Sequence, residues 1–203
     1  MSAFLGPIHY WLYNKITVQN SLVEEVIKFA DKEYASLNLG QKLDDQFGNI
    51  DTTKPLEEMI DTSNIHGWLQ ECVSIVEYRL AFAVTTLLKE NSGVMESLKE
   101  LFKEVGKKLS NINQGANAED IFKSFNDTLL DGMPCDHANI LVSGDEHEVI
   151  YRRNVCVHEN YWNSVGGDIK NYYILREEFI KGLIGNTNAS FEKVDEITSR
   201  ITV

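Results

Sequence analysis

The stretch Cys135-Asp136-His137-Ala138-Asn139-Ile140-Leu141-Val142-Ser143-Gly144-Asp145-Glu146-His147-Glu148-Val149-Ile150-Tyr151-Arg152-Arg153-Asn154-Val155-Cys156-Val157-His158 decides the fold. Apolar residues alternate on both sides of its centre, with Ala138, Ile140 and Val142 before Gly144-Asp145-Glu146-His147 and Val149, Tyr151, Val155 and Val157 after. Alternation around a polar, glycine-bearing turn is the pattern of an antiparallel hairpin. A loop at 144–147 sets Val142 opposite Val149 and Ile140 opposite Tyr151. The reverse face then carries Cys135 opposite Cys156, His137 opposite Asn154 and Asn139 opposite Arg152, with His158 just beyond.

Working outward, a helix is expected over about 167–184, ending at Gly185-Asn186, and the tail Ser190–Val203 alternates Ile197, Ser199, Ile201 and Val203 as closing strands. Upstream the period becomes helical. Pro7 suits a first helical turn, and Ile8, Leu12, Ile16, Leu22, Val23, Val26, Ile27 and Ala30 form one stripe, which predicts a helix over about 7–34. Asn38 to Thr53, with Gly40 and Gly48, reads as a polar loop and a candidate lid, followed by a helical turn from Pro55. From Asn64 a second stripe of Ile65, Leu69, Cys72, Val73, Val76, Leu80, Ala83, Val84 and Leu87 runs unbroken to Lys89. Helices near 93–111 and 118–130 follow, stopped by Asp131-Gly132 and Pro134. The expected class is α+β, with a helical lobe over 1–132 and an antiparallel β lobe with one helix over 133–203, together forming one compact unit.

The chain has 203 residues, 43% of them hydrophobic, and a formal net charge of -12. That charge repels phosphate backbones and anionic lipid, so neither nucleic acid nor a membrane is an expected partner. Lys99, Lys103, Lys107 and Lys108 are interleaved with Glu100 and Glu104 at helical spacing and read as a solvated helix face. No apolar run approaches the roughly 18 residues of a membrane helix, and MSAFLGPIHYW lacks a basic leader. Three cysteines, an odd number, make no disulfide framework and suit a reducing compartment. The expectation is a cytoplasmic protein.

Two Cys-x-His units, Cys135-Asp136-His137 and Cys156-Val157-His158, offer two sulfurs and two nitrogens, the ligand set of zinc or another transition metal. Two other readings stand beside this one. The cysteines can be small buried hydrophobes with histidines capping strand ends, or Cys156 can be a catalytic thiolate with His158 or His137 as base and Arg152 holding a substrate carboxylate. A second constellation is an internal echo, in which Ile8-His9-Tyr10-Trp11-Leu12 matches Ile65-His66-Gly67-Trp68-Leu69. Each histidine lies at the edge of its helix's apolar stripe, the placement from which bundles build metal or haem-like sites, with Glu77 on the flank of His66. Cys72, at the centre of its stripe, reads as core. No His-Glu-x-x-His, Gly-x-Ser-x-Gly or phosphate-cradling glycine loop occurs.

The strand ending Tyr151-Arg152-Arg153-Asn154-Val155-Cys156-Val157-His158, the aromatic pair Tyr161-Trp162, the helix Tyr172 to Leu183 and the Ser190–Val203 strands resemble the L-2-amino-thiazoline-4-carboxylic acid hydrolase family, which has relatives in anaerobic bacteria. The resemblance covers about 70 of 203 residues. It implies opening of a small cyclic C=N compound by water, with Cys156 as the residue carried over. The family's final strand bears a cysteine, whereas Ser199 to Val203 has none. The leading expectation is therefore a small-molecule enzyme with a thiol or metal site between the helical lobe and the sheet, completed by His9 and His66. The alternative is a non-catalytic sensor or carrier of a metal, haem-like cofactor or ligand, and a homodimer is left open.

Overall fold

The computed structural model describes residues 5–203, so the first four residues of the stretch read above for a leader lie outside the described part. The fold is α+β, with eight α-helices among the described residues and a four-stranded antiparallel sheet of order β1-β2-β4-β3. No helix among the described residues is long and apolar enough to cross a membrane. The chain divides into two compact units, 1–94 with 160–168, and 95–159 with 169–203. The division falls before the third long helix rather than at 132/133, because that helix packs on one inside the β-bearing segment.

The first unit is built on α1 (Pro7–Glu33) and α4 (Ile65–Glu90). Their stripes are buried as the periodicity requires, with Ile16, Val23 and Val26 on α1 and Val76, Leu80 and Leu87 on α4 nearly or wholly sealed from solvent. Cys72 is core, and burial pushes its thiol up to about 12. The expected loop at 38–53 contains a helix, α2 (Leu39–Phe47). Leu39 and Leu43, four apart, are wholly buried, while Arg79 of α4 donates to Asp44 at 2.5 Å and to the Gly48 carbonyl at 2.7 Å. Tertiary contacts at both ends hold a segment that its glycine and polar residues would leave unwound. A short α3 (Leu56–Met59) follows. The excursion 160–168, with most of α7 (Glu159–Ser164), docks on α4 through Trp162, which is wholly buried, and Tyr161, whose ring meets Tyr78 edge-on at 4.8 Å.

The second unit comprises α5 (Met95–Leu109), α6 (Ala118–Thr128), α8 (Ile169–Leu183) and the sheet β1 (Asn139–Gly144), β2 (Glu148–Arg153), β3 (Ser190–Lys193) and β4 (Thr198–Thr202). Three helices therefore accompany the sheet. Helices α5 and α8 cross almost backbone to backbone at Gly106 and Gly182, where a Cβ on either glycine would collide with main chain of the other helix. Rings from α6 rest on the sheet, Phe122 on Tyr151 at 5.0 Å and Phe125 on Phe191 at 6.3 Å.

The hairpin forms, but its register differs from the expected one. Pairs run Asn139 to Arg153, Ile140 to Arg152, Leu141 to Tyr151, Ser143 to Ile150 and Gly144 to Val149, with a bulge between Leu141 and Ser143. Val142 is the extra residue, opposite none in the ladder, while Gly144 rather than Val142 meets Val149, Ile140 meets Arg152 rather than Tyr151, and Asn139 meets Arg153 rather than Arg152. The turn falls one residue later than expected, between Gly144 and Val149, which slides the pairs beside it by two, and the bulge takes back one of those two. The strand also starts later than the alternation suggests. Cys135 sits in a single 3-10 turn (Pro134–Asp136), and His137 follows with φ 48° in the left-handed region. Neither belongs to the ladder, so the expected pairing of Cys135 with Cys156 and of His137 with Asn154 across it does not occur.

Candidate ligand-binding site

Of the Cys-x-His cluster, Cys135 and His137 are exposed, Cys156 is half-buried and His158 is buried. All three cysteines are free thiols. Among the described residues no group of three or more His, Cys, Asp or Glu side chains is placed to hold a metal ion. Arg152 is exposed on one face of the sheet, and it is the adjacent Arg153, pointing to the opposite face, that lines a recess. A one-residue step along a strand changes faces. The site thus lies on the Tyr151 face, which the alternation marks as the apolar one.

His9 and His66, by contrast, are brought together, with their Nε2 atoms 3.3 Å apart. The echo Ile-His-x-Trp-Leu marks equivalent positions at the starts of α1 and α4, and those starts lie side by side. The Gly6 N–H donates to His9 Nδ1 at 2.8 Å. Nδ1 must then carry the lone pair, so neutral His9 holds its proton on Nε2 and donates it to Nε2 of His66, whose own proton is on Nδ1. A metal bound through His9 Nε2 would require a proton on Nδ1 and would break the Gly6 bond. We therefore expect nitrogen-15 NMR at neutral pH to show His9 as the Nε2–H tautomer and His66 as the Nδ1–H tautomer. Zinc or nickel added in slight excess should leave both patterns unchanged, and stoichiometric loss of the paired signals would refute this assignment.

The chemistry of the second unit centres on Asp131, just past α6. Arg176 of α8 grips its carboxylate with two N–H donors, each at 2.8 Å. Asn139 of β1 donates at 2.9 Å, and His158 Nε2 lies at 3.4 Å. A carboxylate offers about four acceptor positions, and all four are taken. The side chains of Asp131 and Arg176 are only 16% and 11% exposed. Burial alone would raise the Asp131 carboxyl, but the Arg176 charge, followed by the His158 hydrogen bond, outweighs it and holds the group far below the usual carboxylate range. Arg176 is correspondingly pushed up, its burial overcome by the same partner. Arg176 also donates to the Tyr172 hydroxyl at 3.0 Å, and the His158 ring lies over Tyr172 at 4.0 Å between centroids.

Beside this network, α8 and the sheet enclose a recess of about 50 Å³. One water needs roughly 10–15 Å³ on a comparable measure, so the recess holds a few heavy atoms. Its inner wall includes Tyr151, Tyr173, Ile180 and Phe191, and its mouth includes Arg153, Lys193, Val155 and Ile197. Burial pushes the Tyr151 phenol up to about 12, so Tyr151 is neutral at physiological pH. Tyr173 donates its hydroxyl proton to Cys156 Sγ at 3.1 Å, and the Arg153 guanidinium lies 4.0 Å above the Tyr173 ring.

Asp131 was legible only as a helix stop. Arg176 did carry a signal, being the one charged residue on a stripe of Tyr172, Leu175, Phe179 and Leu183, all buried. A charge on a buried stripe implies a partner, though not which one. No family model, curated protein or solved structure matches this chain.

Proposed function

We propose that the second unit is a small-molecule-binding module whose recess between α8 and the sheet holds its ligand without turning it over. The observation that carries this reading is the saturation of Asp131. With four donors on its two oxygens, it has no lone pair to abstract a substrate proton, and its low proton affinity makes it a poor general acid. His158 is 1% exposed and spends Nε2 on that carboxylate, which disfavours it as base or metal ligand. A preformed wall of aromatic and aliphatic side chains with a few convergent polar groups is the usual composition of a ligand pocket. The sensor or carrier alternative thus gains over the metal enzyme, and a cytoplasmic setting remains part of the proposal.

Ligand-observed NMR with a fragment set, run on the intact chain, tests this. Ile197 is 43% exposed at the mouth, so Ile197→Trp should close the recess without disturbing the core. Fragments that bind the native chain should lose at least tenfold in affinity, with an unchanged denaturation midpoint. Equal binding to both proteins would place the site elsewhere.

One observation favours a second reading, an enzyme using Cys156 as nucleophile: the hydroxyl of Tyr173 points its proton at Sγ and would stabilise a thiolate. On that reading Tyr173→Phe slows alkylation of Cys156 by iodoacetamide at neutral pH at least tenfold. On the binding reading the change is small.

A further inference from the structure

We propose that the recess takes a small monocarboxylate with a short apolar tail, its anionic end held by Arg153 and Lys193 rather than by Arg176. This rests on the reading of the recess as a binding site and names the ligand's chemistry. Arg176 is the obvious anchor by depth, but Asp131 neutralises it and holds it bidentately. An anion recruited there would have to displace a buried carboxylate that already takes both guanidinium donors. Arg153 and Lys193, in contrast, form no ion pair with a carboxylate among the described residues. Arg153 has one donor on the Glu196 backbone carbonyl at 3.2 Å and its flat face on Tyr173. A guanidinium stacked on a ring keeps its edge for a planar carboxylate, the geometry in which arginine binds best.

The same mouth limits the charge it accepts. Glu177 and Glu196 line the recess, and Glu177 is paired at 2.9 Å with Lys181. Two cations beside two carboxylates suit a monoanion and oppose a phosphate dianion. Size and polarity set the tail. About 50 Å³ accommodates a carboxylate and a few carbons. Val155 and Ile197, 47% and 43% exposed beside the opening, provide apolar surface for what protrudes.

Isothermal titration of the full chain with butanoate, benzoate, butanamide, benzamide and inorganic phosphate is the test. The two carboxylates should bind at least tenfold tighter than their amides and than phosphate. Arg153→Gln and Lys193→Gln should each remove most of that preference, read as the ratio of acid to amide affinity within the same variant. Amides equal to acids, or phosphate tighter than both, would overturn the ligand class and leave the recess as a site. Carboxylate binding that survives both substitutions but is lost on Ile197→Trp would overturn the assignment of the anchors. Absence of binding by all five compounds, with no hit in the fragment screen, would overturn the binding reading itself.

Discussion

Gly182→Ala is expected to destabilise the second unit by a net of about 2 kcal/mol or more, although alanine is the better helix former. The Cβ would overlap the Lys103 carbonyl oxygen of α5 and lie 2.9 Å from the Lys107 backbone nitrogen and 3.0 Å from Gly106 Cα. All three neighbours are main chain, so no rotamer change relieves the clash, and α5 and α8 must separate along their contact. Overpacking a rigid site costs about 1–3 kcal/mol and occasionally more. The helix-propensity gain of alanine over glycine, roughly 1 kcal/mol, offsets only part of it. Gly106→Ala should behave alike, because its Cβ would overlap the Phe179 carbonyl oxygen. Gly115→Ala is the control, since nothing lies within 4 Å of the new carbon. Urea denaturation followed by far-ultraviolet circular dichroism measures all three. A Gly182→Ala midpoint equal to that of Gly115→Ala would contradict the close crossing.

Asp131→Ala should cost about 3–5 kcal/mol, the range for removing one partner of a buried ion pair. It strands the Arg176 guanidinium at 11% exposure and takes the acceptor from Asn139 and His158 as well. Asp131→Ala combined with Arg176→Met should be more stable than Asp131→Ala alone, because the unpaired charge is gone. A double-mutant cycle with Arg176→Met isolates the coupling. The pH dependence follows from the sign of the shift. The folded carboxyl sits far below its unfolded value near 3.9, so the stabilisation is fully present above that value and fades as pH falls below it. Between neutrality and about pH 5 the pair's contribution is constant, and in stronger acid the native chain should lose stability more steeply than Asp131→Asn. Parallel slopes below pH 4 would show that the pair is not formed.

Much of the fold was legible because periodicity reports which face of an element is buried. The stripes of α1 and α4 and the alternation in β2 and β4 each require a partner layer, and they set the α+β class and most element positions. Helix α2 escaped because only two residues, Leu39 and Leu43, mark its buried face, and its stability comes from Arg79, which is 35 residues from Asp44 in sequence. The candidate site was legible in fragments. The repeated Ile-His-x-Trp-Leu marked two histidines that meet, whereas their tautomers follow from the Gly6 N–H, a contact that only the folded chain makes.

The cysteine and histidine cluster shows where sequence stops. Alternation identifies a hairpin but not a bulge, since Leu141-Val142-Ser143 carries no local mark of which residue will be extra. The displaced turn and this extra residue together moved the predicted pairs apart, while Arg152 and Arg153 stand on opposite faces because successive strand residues alternate, so the binding face is the one that periodicity marks as apolar. By itself the sequence determined the elements and their buried sides, because these depend on spacing along the chain. Only the tertiary structure decided that Asp131, Asn139, His158 and Arg176 form one saturated network beside the recess, because electrostatic pairing depends on distances between segments far apart in the chain.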